Sequence, residues 1–328
     1  MSAPAAIARL SGERPIPAKF QGGVVAIGNF DGVHRGHQAV LASAREIARA
    51  EAKPLICLTF EPHPRTVFNP ERPVPRLTPA PIRARLLGAL GFDAVVEQGF
   101  DRDFAGIEPE TFVKAILVER LQAAHVVAGF DFHYGAKRAG TPQTLITSGE
   151  RHGFGATLVP AIDDGGGETI SSSRIRALLE AGDTARAAEL LGYRWTIGGS
   201  VSEGQRLGRT LGYPTANIHL MPDTMLKFGI YAVRVRRADG TIHDGVASFG
   251  RRPTFDNGAA LFETFLFDFS GDLYGETIAV SIFEFLRGEE KFDTAEALVA
   301  QMDVDSENAK AVLAAAAPLS DLDRAISF

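Results

Sequence analysis

Two histidines three residues apart, His34 and His37, lie in the string Gly-Asn-Phe-Asp-Gly-Val-His-Arg-Gly-His at 28–37, directly behind the apolar run 24–27. The run reads as a buried strand, and the spacing puts both imidazoles on one face of a helix that starts near His34. Free N–H groups and the positive dipole end at such a start suit phosphate, and Gly32 and Gly36 let a ligand and neighbouring backbone approach closely. A surface pair or a metal-binding pair is the alternative, but a zinc site needs three or four ligands. The one nearby carboxylate, Asp31, sits on the turn and not on the helix face. Neither a GxGxxG fingerprint after this strand nor a GxxxxGK[ST] loop is present, so the phosphate site implied is of another kind.

Two further segments carry the same chemistry. In Ile-Ser-Ser-Ser-Arg-Ile-Arg at 170–176, serine hydroxyls at a helix start and a guanidinium one turn on can grip phosphate oxygens. A capped helix with a solvated arginine reads equally well from those residues alone. In SEGQRLGRTLGYPTANI at 202–218, Gly204, Gly208 and Gly212 make a loop able to wrap phosphate, and Pro214 stiffens an extended exit. Thr215 and Asn217 alternate with Ala216, so on a strand both oxygens can meet one metal. A ligand-free glycine hairpin is the other reading.

The string GNFDGVHRGH resembles the HxGH nucleotidyltransferase superfamily, and TFEPHPR at 59–65 with GFDFHYG at 129–135 resembles its FAD synthetase branch. The segment at 202–218 resembles the riboflavin kinase signature, with Tyr213 in a phenylalanine position. GVASFGRRPTF at 245–255, ETFLFDF at 263–269, DLYG at 272–275 and FLRGEEKF at 285–292 follow in that family's order. The chain is thus similar, over roughly residues 22–303, to the prokaryotic bifunctional riboflavin kinase/FMN adenylyltransferase family. That resemblance implies a Rossmann-like α/β domain at 1–191 and a six-stranded, mainly-β barrel with a terminal helix at 192–328.

It also implies an activity and its participants. ATP phosphorylates riboflavin to FMN, releasing ADP, and a second ATP adenylylates FMN to FAD, releasing pyrophosphate. In the first domain Gly28, Phe30, Asp31, Gly32, His34, His37, Ser172 and Arg176 would bind ATP, the last two histidines and Arg176 serving catalysis, with His63, Asp131 and Phe132 toward the flavin. From the residues alone, His63 and Pro64 read equally as a turn. In the second, Gly204, Arg206, Gly208, Gly212, Pro214, Thr215 and Asn217 would bind ATP, the last two also magnesium. Glu263 would be the general base, with Arg287 and Phe292 at the flavin; strand alternation does not say which face Glu263 takes. The chain departs from the pattern at Glu61, Asp131, Ser248-Phe249 and Phe265, where relatives often carry Asp, Asn, Asn-Ile and His.

The elements that must position these groups are legible as patterns. Apolar runs at 24–28, 55–60, 94–97, 125–129 and 157–160 alternate with helical patterns at 38–50, 82–90, 109–121 and 143–153, an α/β layer arrangement. The Gly-rich stretch 163–168 reads as a mobile rim loop. Beyond Gly192 short strands rich in Val, Phe and Tyr, at 230–236, 263–269 and 277–286, point to a barrel or sandwich. Asp293 is the expected cap of a helix ending near Met302, with a weaker one after Ser306.

With 328 residues two domains are expected, and 45% hydrophobic with 23% charged residues is ordinary globular composition. A net charge of −6 gives no footprint for nucleic acid. The single cysteine, Cys57, excludes an intrachain disulfide and fits a reducing cytoplasm. No run approaches the roughly 20 apolar residues of a membrane span, so a membrane partner is not expected. A transient oligomer stays open. Two other readings are a single-activity enzyme and a non-catalytic flavin carrier; the joint presence of His34, His37, Ser172 and Arg176 argues against an inert first domain.

Overall fold

The computed structural model describes residues 7–203, 212–221, 223–251 and 260–328. The chain divides into two compact units, 1–171 and 172–328.

The first unit runs β1 (Ala8–Ser11), β2 (Val24–Ile27), α1 (Arg35–Glu51), β3 (Leu55–Glu61), α2 (Pro64–Phe68), α3 (Ala80–Ala89), β4 (Ala94–Gly99), α4 (Arg102–Ala105), α5 (Pro109–Phe112), β5 (His125–Gly129), α6 (Pro142–His152) and β6 (Gly155–Val159). All six strands pair parallel in the order β1-β4-β3-β2-β5-β6. Every residue of β2, and Leu55 through Phe60 of β3, is buried, as expected when helices cover both faces of a parallel sheet. Helix α1 meets the sheet with Val40, Leu41, Ala44 and Ala48, one helical stripe. The expected strands and helices are all present, although the 109–121 helix is α-helical only over Pro109–Phe112 and continues as a π-helix over Val113–Arg120. The 163–168 stretch forms a loop closed by an Asp163–Thr169 bridge, with Asp164 Oδ1 accepting from Gly166 N at 2.9 Å.

Strand order reverses between β2 and β5: successive strands run outward from β2 through β3 and β4, whereas β5 and β6 lie on its other side. Loops leaving the carboxyl ends of such a pair diverge to opposite faces and leave a crevice between them. Ile27 and Ala128 pair there, so the turn at 28–34 and the loop after Gly129 flank one opening.

The second unit begins with α7 (Ser172–Ala181) and α8 (Thr184–Leu191), followed by β7 (Thr196–Ser200), β8 (Thr215–His219), β9 (Gly229–Arg236), β10 (Ile242–Arg251), β11 (Ala260–Leu266), β12 (Thr277–Arg287), α9 (Ala295–Ala315) and α10 (Asp321–Ser327). The strands pair antiparallel in the order β7-β12-β9-β10-β11-β8. The two ends of that order approach where Ser202 N donates to Asn217 O at 2.9 Å, giving a nearly closed six-stranded barrel. On β9, Val233 and Val235 are buried while Arg234 and Arg236 are half-buried, the alternation visible in the sequence. Helix α9 covers the barrel with Ala309 and Leu313, packed among Ala232, Val246, Phe267 and Phe283. It is one continuous helix capped by Thr294, not by Asp293, and it passes through Met302 and Ser306 without a break. Helices α7 and α8 pack on each other and α8 packs on β12, so both group with the barrel and not with the sheet that precedes them in the chain.

Candidate functional sites

The crevice of the first unit is built on a strained turn. Phe30 (φ +46°), Gly32 (φ +90°) and Val33 (φ +38°) all occupy the left-handed region, which costs a bulky L-residue about 1–3 kcal/mol. Surrounding bonds over-determine it. Asp31, 2% exposed, accepts from the backbone N–H groups of Thr78 at 3.0 Å and Leu77 at 3.3 Å, and Gly32 N donates to Thr78 Oγ1 at 2.8 Å. The turn thereby delivers His34 as the N-cap of α1, its Nδ1 accepting from His37 N at 3.3 Å. An accepting Nδ1 puts the proton of a neutral His34 ring on Nε2.

The two imidazoles stack at 3.6 Å between centroids, and Phe30 meets His37 edge-on at 5.4 Å. Gly36 leaves room for this stacking, because a Cβ there would lie 3.2 Å from the His34 ring and push on it. His37 lines the crevice, its Nδ1 is buried with no hydrogen-bond partner, and burial pushes its pKa down to about 3. Its ring is therefore neutral near pH 7, with an unsatisfied polar atom that a ligand can satisfy.

The crevice encloses about 540 Å³. One wall is aromatic: Phe60 meets Phe100 at 5.9 Å and Phe104 at 6.1 Å, Phe68 meets Phe100 at 6.2 Å, and Phe104 meets Phe112 at 6.1 Å. The cluster continues through Tyr134, 5.3 Å from Phe112, to Phe132, which stacks on Tyr134 at 5.7 Å. Polar side chains lining the opening include Arg65, Asp131, His133, Lys137 and Arg138.

Of the residues expected in this site, Gly28, Phe30, His37, Asp131 and Phe132 line one cavity. His34 lies against His37, while Asp31 and Gly32 engage the 77–78 segment and do not line the opening. His63 is the N-cap of α2, accepting from Arg65 N at 3.1 Å, so it sets where Pro64 and Arg65 reach the cavity. Ser172 and Arg176, the latter 7% exposed, lie on α7 in the other unit. The aromatic wall and the cations at 65, 137 and 138 went unread in the sequence; Phe60, Phe68, Phe100, Phe104 and Phe112 are too widely spaced to make a local pattern.

The barrel holds a second cleft of about 300 Å³. Glu263 on β11 pairs in register with Asn217 on β8 and Ser248 on β10, and Thr215 pairs with Phe265. Thr215, Glu263, Arg287 and Phe292 all line this cleft, and Asn217, 4% exposed, shares the strand face of Thr215 one pleat deeper. Glu263 is half-buried and faces this cleft, on the side of β11 opposite the buried Phe262 and Thr264. Gly212, at φ +86°, and Pro214 flank the cleft residues in sequence without lining it; Gly204, Arg206 and Gly208 lie outside the described residues.

Helix α9 supplies a wall that the sequence did not announce. Leu298 and Met302 line the cleft, and Asp305 holds Arg287 in a two-pronged pair, Oδ1 to Nε at 2.8 Å and Oδ2 to Nη2 at 2.7 Å. Hydrogen bonding to that carboxylate raises the Arg287 pKa further, so the guanidinium stays charged. Tyr213 donates its hydroxyl to Asp303 and rests on Phe265, ring centroids 4.7 Å apart. No group of three or more His, Cys, Asp or Glu suited to a metal occurs among the described residues, and no described helix is long and apolar enough to cross a membrane. The hard-oxygen pair Thr215 and Asn217, on one face of β8, suits magnesium, which takes few protein ligands and completes its shell with water and phosphate.

Two family models match in tandem, FAD synthetase over residues 16–174 and riboflavin kinase over 191–313. A protein of Listeria monocytogenes named bifunctional riboflavin kinase/FMN adenylyltransferase is 39% identical over 294 residues, covering 89% of this chain and 92% of its own. Its namesake in Escherichia coli K12 is 37% identical, covering 89% and 93%. Among solved structures, a Streptococcus pneumoniae protein described as a macrolide-efflux protein superposes with a TM-score of 0.79 at 31% identity, over 93% of this chain and 99% of that one. With both family models matched in order and such relatives covered almost end to end, the chain belongs to the bifunctional riboflavin kinase/FMN adenylyltransferase family.

Proposed function

We propose that the barrel cleft phosphorylates riboflavin to FMN and that the crevice of the first unit adenylylates FMN to FAD, each at the expense of one ATP. The observation that carries this is the presence of two separate cavities. One gathers Glu263, Thr215 and Arg287; the other gathers His37, Asp131 and an aromatic wall.

In the cleft, Glu263 accepts the proton of the riboflavin 5′-hydroxyl as that oxygen bonds to the γ-phosphorus, while the bond to the bridging oxygen breaks and ADP leaves. Thr215 and Asn217 would hold magnesium, which neutralises charge on the phosphates when bound. Arg287, fixed by Asp305, and Phe292 flank the flavin. In the crevice the aromatic wall receives the isoalloxazine, and His37 and His34 hold the triphosphate at the start of α1. A phosphate oxygen of FMN bonds to the α-phosphorus, and pyrophosphate leaves with the electron pair of the broken bond. Ser172 and Arg176 of α7 are assigned to the same triphosphate, and the functional boundary is put at 191/192, next to the start of the kinase family match.

Purified protein given riboflavin, ATP and magnesium should accumulate FMN and then FAD, followed by chromatography with fluorescence detection. FMN with no FAD at any time would leave a kinase alone, and flavin binding without ATP consumption would leave a carrier.

A further inference from the structure

The crevice opening carries more positive charge than the steps above use. Arg65, Lys137 and Arg138 line it, with Asp131 the one carboxylate among the lining residues. Among the described residues neither Arg65 nor Lys137 has an ion-pair partner, and Arg138 reaches only His133 Nδ1, at 3.3 Å.

The loop is built to keep two of these cations in place. Lys137 (φ +52°) and Arg138 (φ +59°) are consecutive left-handed residues, a conformation that a neutral turn would give to glycine or asparagine. Its neck is closed by Tyr134 and Gly140, whose N–H groups donate to each other's carbonyls at 3.0 and 2.9 Å, and Ala136 N donates to Ile107 O at 2.7 Å. Gly135, at φ +69°, packs so tightly on Pro109 that an added Cβ would lie 2.8 Å from it. Tyr134 is tied in turn to Thr144 of α6 at 3.2 Å. Strain maintained by this many contacts, on residues that offer two unneutralised charges to a cavity, marks a prearranged anion site.

We infer that Lys137 and Arg138, with Arg65 on the same cavity, hold the 5′-phosphate of the acceptor flavin and so make the crevice select phosphorylated flavin over riboflavin. This rests on the crevice being the adenylylation site. The aromatic wall offers the isoalloxazine the same surface whether or not a phosphate follows, so discrimination has to come from charge. Riboflavin, the substrate of the other cleft, has no phosphate nucleophile and would occupy the crevice unproductively. Cations on the non-attacking oxygens also offset the repulsion between the FMN phosphate and the triphosphate as they approach.

The test uses the full chain, with initial rates of FAD formation from supplied FMN and ATP. 5′-Deoxyriboflavin, which cannot be phosphorylated, serves as a competitive, phosphate-free probe. In the double variant Lys137→Gln/Arg138→Gln the KM for FMN should rise about tenfold or more, with the inhibition constant of 5′-deoxyriboflavin unchanged. The charge-conserving pair Lys137→Arg/Arg138→Lys should restore most of the FMN affinity. An unchanged KM for FMN overturns the inference; so does equal weakening of FMN and 5′-deoxyriboflavin, which marks a structural role, or a rise confined to the KM for ATP. If His37→Asn leaves FAD formation at the parental rate, the crevice is not the adenylylation site and both readings fall together.

Discussion

His37 couples chemistry to stability through one buried nitrogen. Burial holds its pKa near 3, against about 6.5 in an unfolded chain. Between those values the unfolded state binds one proton more than the folded state, so stability is complete above pH 6.5 and is lost progressively as pH falls below it. Comparing denaturant unfolding at pH 7 and pH 4, the parent should lose about 3 kcal/mol more than His37→Gln, which carries no titrating ring. Parallel losses would mean that water or a neighbour already satisfies the ring. Glu263 makes a different demand: Glu263→Gln should lower kcat for riboflavin phosphorylation by about 10²–10⁴ while FAD formation from supplied FMN continues. Equal loss of both activities, measured in parallel assays, would remove Glu263 from the base role. At this scale the sequence was informative where residue type and spacing coincide, as for His34 and His37. It was less so for Asp31, whose amide partners at Leu77 and Thr78 lie more than forty positions away.

Helix α9 shows why elements are harder to read than motifs. Asp303, Asp305 and Ser306 look like a break between two helices, since all three favour caps over helix interiors. In the fold each has a local or cross-element partner: Ser306 Oγ donates to Met302 O at 2.8 Å, Asp303 takes the Tyr213 hydroxyl, and Asp305 grips Arg287. The helix therefore runs unbroken and carries one wall of the kinase cleft. Asp305→Asn keeps the shape and removes the charge. It should lower unfolding free energy by about 1–3 kcal/mol and raise the KM for riboflavin or ATP more than it lowers kcat. A variant with parental stability and KM would show that Arg287 holds its position without help. Strand β1 escaped for a related reason. Its four residues pair only with β4, aided by the Arg9–Glu97 ion pair at 3.0 Å, so its cause lies some ninety residues away. The inner strands β2, β3 and β5 were legible because burial on both faces writes an unbroken apolar run.

For the molecule, chain order and compact packing disagree over one segment. Residues 172–191 fold as α7 and α8 in the barrel-containing unit, yet Ser172 and Arg176 are assigned to the chemistry of the sheet-containing unit. Texture alone put the boundary at Gly192, where helical patterns stop; packing draws it at 171/172, because α8 lies on β12 and Leu179 O accepts from Lys227 N at 3.1 Å. Two divisions of the chain tell these apart. A fragment 1–191 should adenylylate FMN with a reduced rate, since α7 and α8 have lost their packing partners. A fragment 1–171 keeps the whole six-stranded sheet and the crevice walls, so it should fold and bind FMN, but it lacks both α7 residues and should make no FAD. Its partner 172–328 should phosphorylate riboflavin at close to the parental rate. FAD synthesis by fragment 1–171 would show that the crevice needs nothing from α7, and would return Ser172 and Arg176 to capping and packing the helix on which they sit.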